Sequence, residues 1–248
     1  MRRILLWLNS PFAWGIFLSV SLVNIVVGVV CQLLALPLDP QRRVALKINH
    51  WIWGRGLFAA EPGWPTTWEG LENIGEGPYV IVANHSSVLD IPVLMGLPMP
   101  MRVLAKKELV RAPIMGWYIG FSGQIPIDMS RDGGVEEAFM RCRESLEQGI
   151  SLVIFPEGTR SEDCQLARFR TGAFRLAKDT GVPVLPVSIF GTHKLMKKGT
   201  FLPQSLYHPI RCRVLSPISG EGLSTARKLK NRVREAISTN LDELRANA

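Results

Sequence analysis

His85 and Asp90, five positions apart, and the run Phe155–Ser161 (FPEGTRS) hold the side chains of this sequence best placed to do chemistry. An imidazole with one ring nitrogen held by a carboxylate has the other free to take a proton from a hydroxyl. His85 with Asp90 would therefore form a general base that brings no nucleophile of its own. A plainer reading also fits, because Ser87-x-x-Asp90 is a helix capping box. In FPEGTRS, Gly158 permits close backbone approach, Thr159 and Ser161 supply hydroxyls, and the Arg160 guanidinium is a forked donor suited to phosphate. Glu157 would order that arginine or hold a substrate hydroxyl.

Two more stretches are chemically suggestive. Gly123–Asp132 (GQIPIDMSRD) offers Arg131 as a second phosphate ligand. Val182–His193 (VPVLPVSIFGTH) carries Pro183 and Pro186, which imply a strand near an edge or with irregular pairing. Lys106 and Lys107 follow the apolar VLA, Arg168 and Arg170 add positive charge, and His193 and His208 read as structural.

The elements that must position these groups follow from periodicity. Strands are expected at Thr67–Glu69, Tyr79–Ala83, Arg102–Ala105, Gln124–Asp128, Ser151–Phe155, Val182–Phe190 and Ile210–Leu215. Helices are expected at Asp90–Gly96, Glu108–Gly120, Val135–Gln148, Gly172–Thr180 and Thr225–Leu244. Such alternation describes an α/β domain with a mostly parallel central sheet flanked by helices, in which reactive groups gather at the carboxyl ends of strands.

Ahead of this domain, no charged residue occurs between Arg3 and Asp39. The apolar run Phe12–Leu36 exceeds the roughly 20 helical residues that cross a bilayer core. It is longer than a signal-peptide core and shows no clear small-x-small cleavage site before Asp39, so a retained membrane helix is the preferred reading, whether it spans, re-enters or lies shallow. Gln41–Ala59 then places Val44, Ile48, Trp51, Ile52 and Phe58 at helical spacing with Arg42, Arg43 and Lys47 elsewhere on the wheel, as in an interfacial helix or an amphipathic core helix. The chain thus divides into a membrane-associated two-helix segment, residues 1–60, and an α/β domain, residues 61–248, with Glu61–Pro65 as a hinge. Basic residues after the run favour a cytoplasmic location for the domain, on the cytoplasmic or inner membrane.

The net charge of +8 calls for an anionic partner. Six of the seven tryptophans fall in the first 68 residues rather than among a basic cluster, which argues against nucleic acid. No G-x-S-x-G occurs, which disfavours a serine hydrolase. The four cysteines are widely spaced without C-x-x-C, so neither a metal site nor a disulfide framework is expected.

His85-x4-Asp90, Gly123–Asp128, FPEGTRS and Val182–Ile189 match, in order and approximate spacing, the four blocks of the 1-acylglycerol-3-phosphate acyltransferase family, and the sequence from about Trp68 to Phe190 resembles that family throughout. EGLENIGEGPYVIVANH, AKKEL and RFRTGAFRLA resemble it as well. The resemblance implies an acyltransferase of phospholipid biosynthesis, moving an acyl group from acyl-coenzyme A or acyl-acyl carrier protein to the sn-2 hydroxyl of lysophosphatidic acid at a lipid membrane. It needs no cofactor beyond the co-substrate. His85 would be the base, Asp90 its orienter, and Arg160, helped by Glu157, Gly158, Thr159, Arg131 and Lys106, would hold the phosphate, with backbone N–H groups near Gly158 as candidates to meet the oxyanion. One departure stands out: Met129 follows Asp128 where the family usually places arginine, and Arg131 arrives two positions later. A lyso-lipid with another headgroup, such as a lyso-ornithine lipid, therefore stays open, as does a non-catalytic lipid-binding protein.

Overall fold

Short apolar runs bounded by turn residues become strands buried on both faces when helices cover the sheet from two sides. A computed structural model describes residues 2–35, 38–111, 116, 119–120, 122–200 and 203–246. Among these, seven strands form one sheet: β1 (Thr66–Glu69), β2 (Val80–Ala83), β3 (Met101–Lys106), β4 (Ile125–Ile127), β5 (Ser151–Ile154), β6 (Val184–Phe190) and β7 (Ile210–Val214), in the order β1-β7-β6-β2-β5-β3-β4. Strands β2 to β6 run parallel; β7 is antiparallel to β6, and β1 is parallel to β7. The sheet is mostly parallel, and every expected strand forms to within two residues at each end. The carboxyl ends of β2 to β6 consequently share one edge.

Helices α1 (Arg2–Ala35), α2 (Arg43–Trp51), α3 (Leu57–Ala60), α4 (Asp90–Met95), α5 (Gly134–Glu147), α6 (Gly172–Thr180), α7 (Thr192–Leu195) and α8 (Ala226–Ala246) complete the described elements, with a π-helical turn at Ile52–Gly56 between α2 and α3. In the region expected to be a helix at Glu108–Gly120, a 3-10 turn occupies Lys107–Arg111, and residues 112–115, 117 and 118 lie outside the described residues. The short α7 has no counterpart among the sequence expectations.

Side-chain alternation along the strands splits the core in two. Val80, Val82, Leu152, Ile154 and Val184 face α5, α6 and the stripe Leu229, Val233, Ile237, Leu241 and Leu244 of α8. Ile81, Ala83, Val103, Val153, Leu185 and Val187 face α4 and the N-terminal segment, where Trp53 and Phe58 are buried and Trp14, Phe17 and Val20 pack alongside. The first 60 residues thus share a core with the sheet. Glu61–Pro65 is tied into it, since Glu61 and Trp64 are buried, Gly63 accepts a hydrogen bond from the His208 N–H (3.0 Å), and Pro65 accepts one from Ile210 (2.8 Å).

The strand with Pro183 and Pro186 is not at an edge: β6 lies between β7 and β2 and is buried along its whole length. The irregular pairing is present instead. Val184 exchanges hydrogen bonds with Ile218 (3.0 and 2.8 Å) while Pro186 accepts from Leu215 (2.9 Å), so a two-residue step on β6 faces a three-residue step on its partner. The proline nitrogen points to the same side as its carbonyl, and the missing donor falls at this bulge.

The N-terminal helices reverse the usual polarity. Leu18, Leu22, Val26, Val30 and Leu34 of α1, and Val44 and Trp51 of α2, are exposed, whereas Ser21, Asn24, Asn49 and His50 are buried between the helices or against the sheet. Trp53 Nε1 donates to Ser21 Oγ (3.0 Å). The apolar exterior of α1 suits lipid rather than water, whereas α2 exposes Arg43 and Lys47 beside Val44 and Trp51 and buries Ala45 and Leu46, so Gln41–Ala59 combines a mixed outer face with a core-facing one. The π-helical turn lays the Gly54 backbone against that of Gly96, just past α4. Arg55 Nε donates to the Gly96 carbonyl (2.9 Å) with its guanidinium 4.5 Å over the Trp68 ring, and Trp68 Nε1 donates to the Val93 carbonyl (2.9 Å). Arg55 thereby satisfies the Gly96 carbonyl just past the helix end, and Trp68 adds a second donor to the Val93 carbonyl, which already accepts the Gly96 N–H (3.1 Å). The helix that begins at Asp90 is therefore anchored at its far end by the N-terminal segment.

A Cβ on Gly54 would collide with the Gly96 backbone. Gly54→Ala is expected to cost roughly 1–3 kcal/mol through overpacking, lowering the thermal midpoint of the detergent-solubilised protein by several degrees; an unchanged midpoint would show that the contact is easily relaxed. His50 is wholly buried on α2, 3.5 Å from Gln124 Nε2, and burial pushes its pKa down to about 3. A folded pKa below the unfolded value of about 6.5 means that the unfolded chain binds the proton first, so the stability contribution is full above about pH 6.5 and is lost as pH falls toward 3. In urea titrations, His50→Gln should lose less stability than wild type between neutral pH and about pH 5.

Candidate active site

Four donors converge on the buried Asp90 carboxylate. Oδ2 lies 2.9 Å from His85 Nδ1 and accepts the N–H groups of Ser86 (2.7 Å) and Ser87 (2.8 Å), and Oδ1 accepts the Thr192 hydroxyl (2.6 Å). The turn that brings them together is local: β2 ends at Ala83, Asn84 continues its pairing by exchanging hydrogen bonds with the Ile189 main chain (2.9 and 2.8 Å), and the chain then folds over the start of α4. Because a carboxylate only accepts, Nδ1 of His85 carries the proton, and Nε2 presents a lone pair. The imidazole retains 15% exposure while Asp90 has none, which leaves the base reachable and its partner dry. The capping-box contacts expected of Ser87 are present, since Asp90 accepts its N–H (2.8 Å) and its hydroxyl accepts the Leu89 N–H (3.3 Å), although α4 begins later, with Leu89 at the N-cap, and the hydroxyl also donates to the Met196 carbonyl (2.8 Å).

The FPEGTRS loop sits against this turn. Phe155 stacks on the His85 ring at 4.0 Å between centroids and 20° between planes, fixing the ring's tilt. Glu157 neither contacts Arg160 nor faces a free space with both oxygens: Oε1 accepts the His85 N–H (2.8 Å) and Oε2 the Ala167 N–H (2.9 Å). Burial raises its pKa, opposed by those two hydrogen bonds. Ser161 N–H donates to the His85 carbonyl (2.8 Å), so His85 is held from both sides by one loop. Gly158, at φ 72°, closes the turn, and its own N–H is engaged with the Phe155 carbonyl (3.1 Å). That removes it as an oxyanion donor; the N–H groups of Thr159 and Arg160 make no hydrogen bond among the described residues. Arg160 is half-buried and Thr159 exposed.

At the neighbouring strand ends, Lys106 is exposed at the close of β3, and Lys107 pairs with Asp128 (2.9 Å). Hydrogen bonds from Ser130 and Lys107 hold the Asp128 pKa well below the usual carboxylate range. Arg131 forms an exposed ion pair with Glu137 in the first turn of α5. The structure therefore brings His85, Asp90, Glu157, Gly158, Thr159 and Arg160 into one constellation, and ties Arg131 to a helix beside it. Thr192 and Phe155 are the functional contacts that reading the chain by motif missed. Thr192 falls in the fourth stretch, just past the end of β6, where the strand-end rule alone would have singled out its hydroxyl.

An apolar groove opens beside the pair, lined by Val88 and Leu89 between His85 and Asp90, by Ile91 of α4, and by Trp14 and Phe17 of α1 and Trp53. Its walls thus come from the turn between His85 and Asp90 on one side and from the N-terminal helices on the other.

A family model described as Acyltransferase matches residues 66–190. The chain is 36% identical over 210 residues to the 1-acyl-sn-glycerol-3-phosphate acyltransferase LPAT1, chloroplastic, of Arabidopsis thaliana, covering 82% of this chain and 56% of that one. It is 33% identical over 232 residues to a 1-acyl-sn-glycerol-3-phosphate acyltransferase of Chlamydomonas reinhardtii (93% and 68%). The crystal structure of the 1-acyl-sn-glycerophosphate acyltransferase PlsC from Thermotoga maritima superposes with a TM-score of 0.84 at 29% identity, over 99% of this chain and 98% of that one. The chain thus spans little more than half the length of the Arabidopsis relative.

Thr192→Val removes one charge-assisted hydrogen bond from Asp90. The expected result is a kcat lowered roughly tenfold to a hundredfold with substrate KM values nearly constant; an unaltered kcat would mean that the three other donors suffice to hold the carboxylate.

Proposed function

The chain belongs to the acyltransferase family, and from that premise we propose that it transfers a fatty acyl group from acyl-coenzyme A or acyl-acyl carrier protein to the sn-2 hydroxyl of lysophosphatidic acid, giving phosphatidic acid. The observation that carries the reading is the His85 Nδ1–Asp90 contact at 2.9 Å, with Nε2 left free beside a loop bearing Arg160.

In this reading Nε2 takes the proton of the acceptor hydroxyl as its oxygen attacks the thioester carbonyl, and Asp90 stabilises the imidazolium that forms. The tetrahedral oxyanion meets N–H donors of the 159–160 turn, worth roughly 3–4 kcal/mol each in comparable sites. Collapse breaks the C–S bond, and the imidazolium returns its proton to the departing thiolate. No acyl-enzyme forms, and no metal or cofactor is invoked. Arg160 holds the acceptor phosphate with a forked pair of donors, and the apolar groove takes an acyl chain arriving from the membrane side.

The exposed apolar face of α1, with Val44 and Trp51 of α2, supports a placement in which α1 sits in the lipid and α2 lies at its surface, both packed on the domain. The basic residues Arg42, Arg43 and Lys47 would lie at the headgroups on the cytoplasmic side of the cytoplasmic or inner membrane. Arg131 is paired with Glu137, and Met129 follows Asp128, which favours as a second reading an acceptor with another headgroup, such as a lyso-ornithine lipid.

The test is a panel of lyso-lipid acceptors with an acyl thioester, scored by thiol release. Lysophosphatidate should be the preferred acceptor, with turnover lost in His85→Ala and Asp90→Asn while both variants still bind lipid. Release with lyso-ornithine lipid but none with lysophosphatidate would move the assignment to the second reading, and release without acceptor would indicate thioester hydrolysis.

A further inference from the structure

Cations crowd the carboxyl edge of the sheet, yet they differ in whether an acid already neutralises them. Lys107 has Asp128 and Arg131 has Glu137. Arg170 has neither a carboxylate nor a carbonyl partner among the described residues: its side chain makes one weak contact, Nη1 to Met129 Sδ at 3.6 Å. Its main chain is nevertheless anchored to the FPEGTRS loop, because its N–H donates to the Pro156 carbonyl (2.8 Å). The guanidinium lies over Gly158, so that a Cβ built on that glycine would come 2.9 Å from Nε and 3.0 Å from Cζ. The missing side chain at Gly158 is what makes room for it. Two residues later α6 begins at Gly172, with no side-chain cap and no acidic residue in its first turn, so the positive end of a nine-residue helix adds to the same field.

We propose that Arg170 is a second phosphate ligand of the acceptor, acting with Arg160 at the Gly158 turn, in place of the Arg131 suggested by the sequence. This rests on the reading of the chain as a lysophosphatidate acyltransferase. A phosphate monoester carries about two negative charges and three terminal oxygens, which suits two forked guanidinium groups better than one. The same chemistry exists on the donor, since coenzyme A is phosphorylated. The position favours the acceptor: its phosphate is separated from the reacting hydroxyl by a short glycerol unit, and the Gly158 turn is bonded directly to His85 through Glu157 and Ser161. The phosphates of coenzyme A stand a whole pantetheine arm from the thioester.

Steady-state KM values of wild type, Arg170→Ala, Arg170→Lys and Arg131→Ala for lysophosphatidate, acyl-coenzyme A and acyl-acyl carrier protein test this in the full-length enzyme, with thermal midpoints as the check on folding. Arg170→Ala should raise the KM for lysophosphatidate roughly tenfold to a hundredfold, the loss of a charge-assisted contact, and leave both donor KM values within about twofold. Arg170→Lys, which keeps the charge but not the fork, should fall between, and carries the test by the same split if the alanine variant does not fold. Arg131→Ala should stay near wild type. Equal rises for acceptor and donors, a rise confined to acyl-coenzyme A, an unchanged acceptor KM, or a larger effect from Arg131→Ala would each overturn the assignment of Arg170 while leaving the acyltransferase reading intact. Absence of wild-type turnover on lysophosphatidate would remove both.

Discussion

The Asp90 carboxylate is the point on which the structure turns. A buried charge is tolerated only when hydrogen bonds replace its lost water, and here two N–H groups, a hydroxyl and an imidazole supply them. The same bonds that satisfy the carboxylate dictate the path of the chain from β2 into α4 and the direction of the His85 ring. Removing any one leaves the others holding a charge in a dry site, so geometry and solvation are a single constraint. The Glu157 carboxylate repeats the device at one remove, fixing the His85 main chain rather than its ring.

That constraint reaches the N-terminal helices through a short chain of contacts. α4 has six residues and cannot be rigid alone, but its last carbonyls receive hydrogen bonds from Trp68 and from Arg55, and Gly54 packs on Gly96. Arg55 and Gly54 belong to the π-helical turn that follows α2, whose outer face pairs the apolar Val44 and Trp51 with Arg43 and Lys47. The N-terminal segment is thus one contact layer from the helix carrying Asp90. The apolar groove runs along the same path, between α1 and the turn that holds the base.

Charge at the carboxyl edge is sorted by pairing. Exposed ion pairs such as Arg131 with Glu137 contribute little to stability, yet they determine which cations are available to an anion. Arg160 and Arg170, both attached to one turn, have no acid partner among the described residues, as is also true of Lys106 at the end of β3. A glycine at position 158 serves that turn twice, by adopting a positive φ and by leaving space beneath a guanidinium.

The sequence determined the strands, their mostly parallel arrangement and the common edge, because short continuous apolar runs alternating with helical patterns describe a sheet covered on both faces, and residues at strand ends then share that edge wherever they lie in the chain. It also determined that His85 and Asp90 could meet, being five positions apart at such an end. Only the tertiary structure decided what they meet. Thr192 lies 102 residues from Asp90, and Phe155 reaches the His85 ring from another strand; no spacing in the sequence records either contact. The structure likewise sent Glu157 to main-chain N–H groups, Ser87 to the Met196 carbonyl and Arg131 to Glu137, choices set by which donors and acceptors each side chain can reach once the sheet is assembled. Pro186 shows the same division: its lack of an N–H predicts a break in a ladder, but the order of strands decides that the break is a bulge inside the sheet rather than an edge.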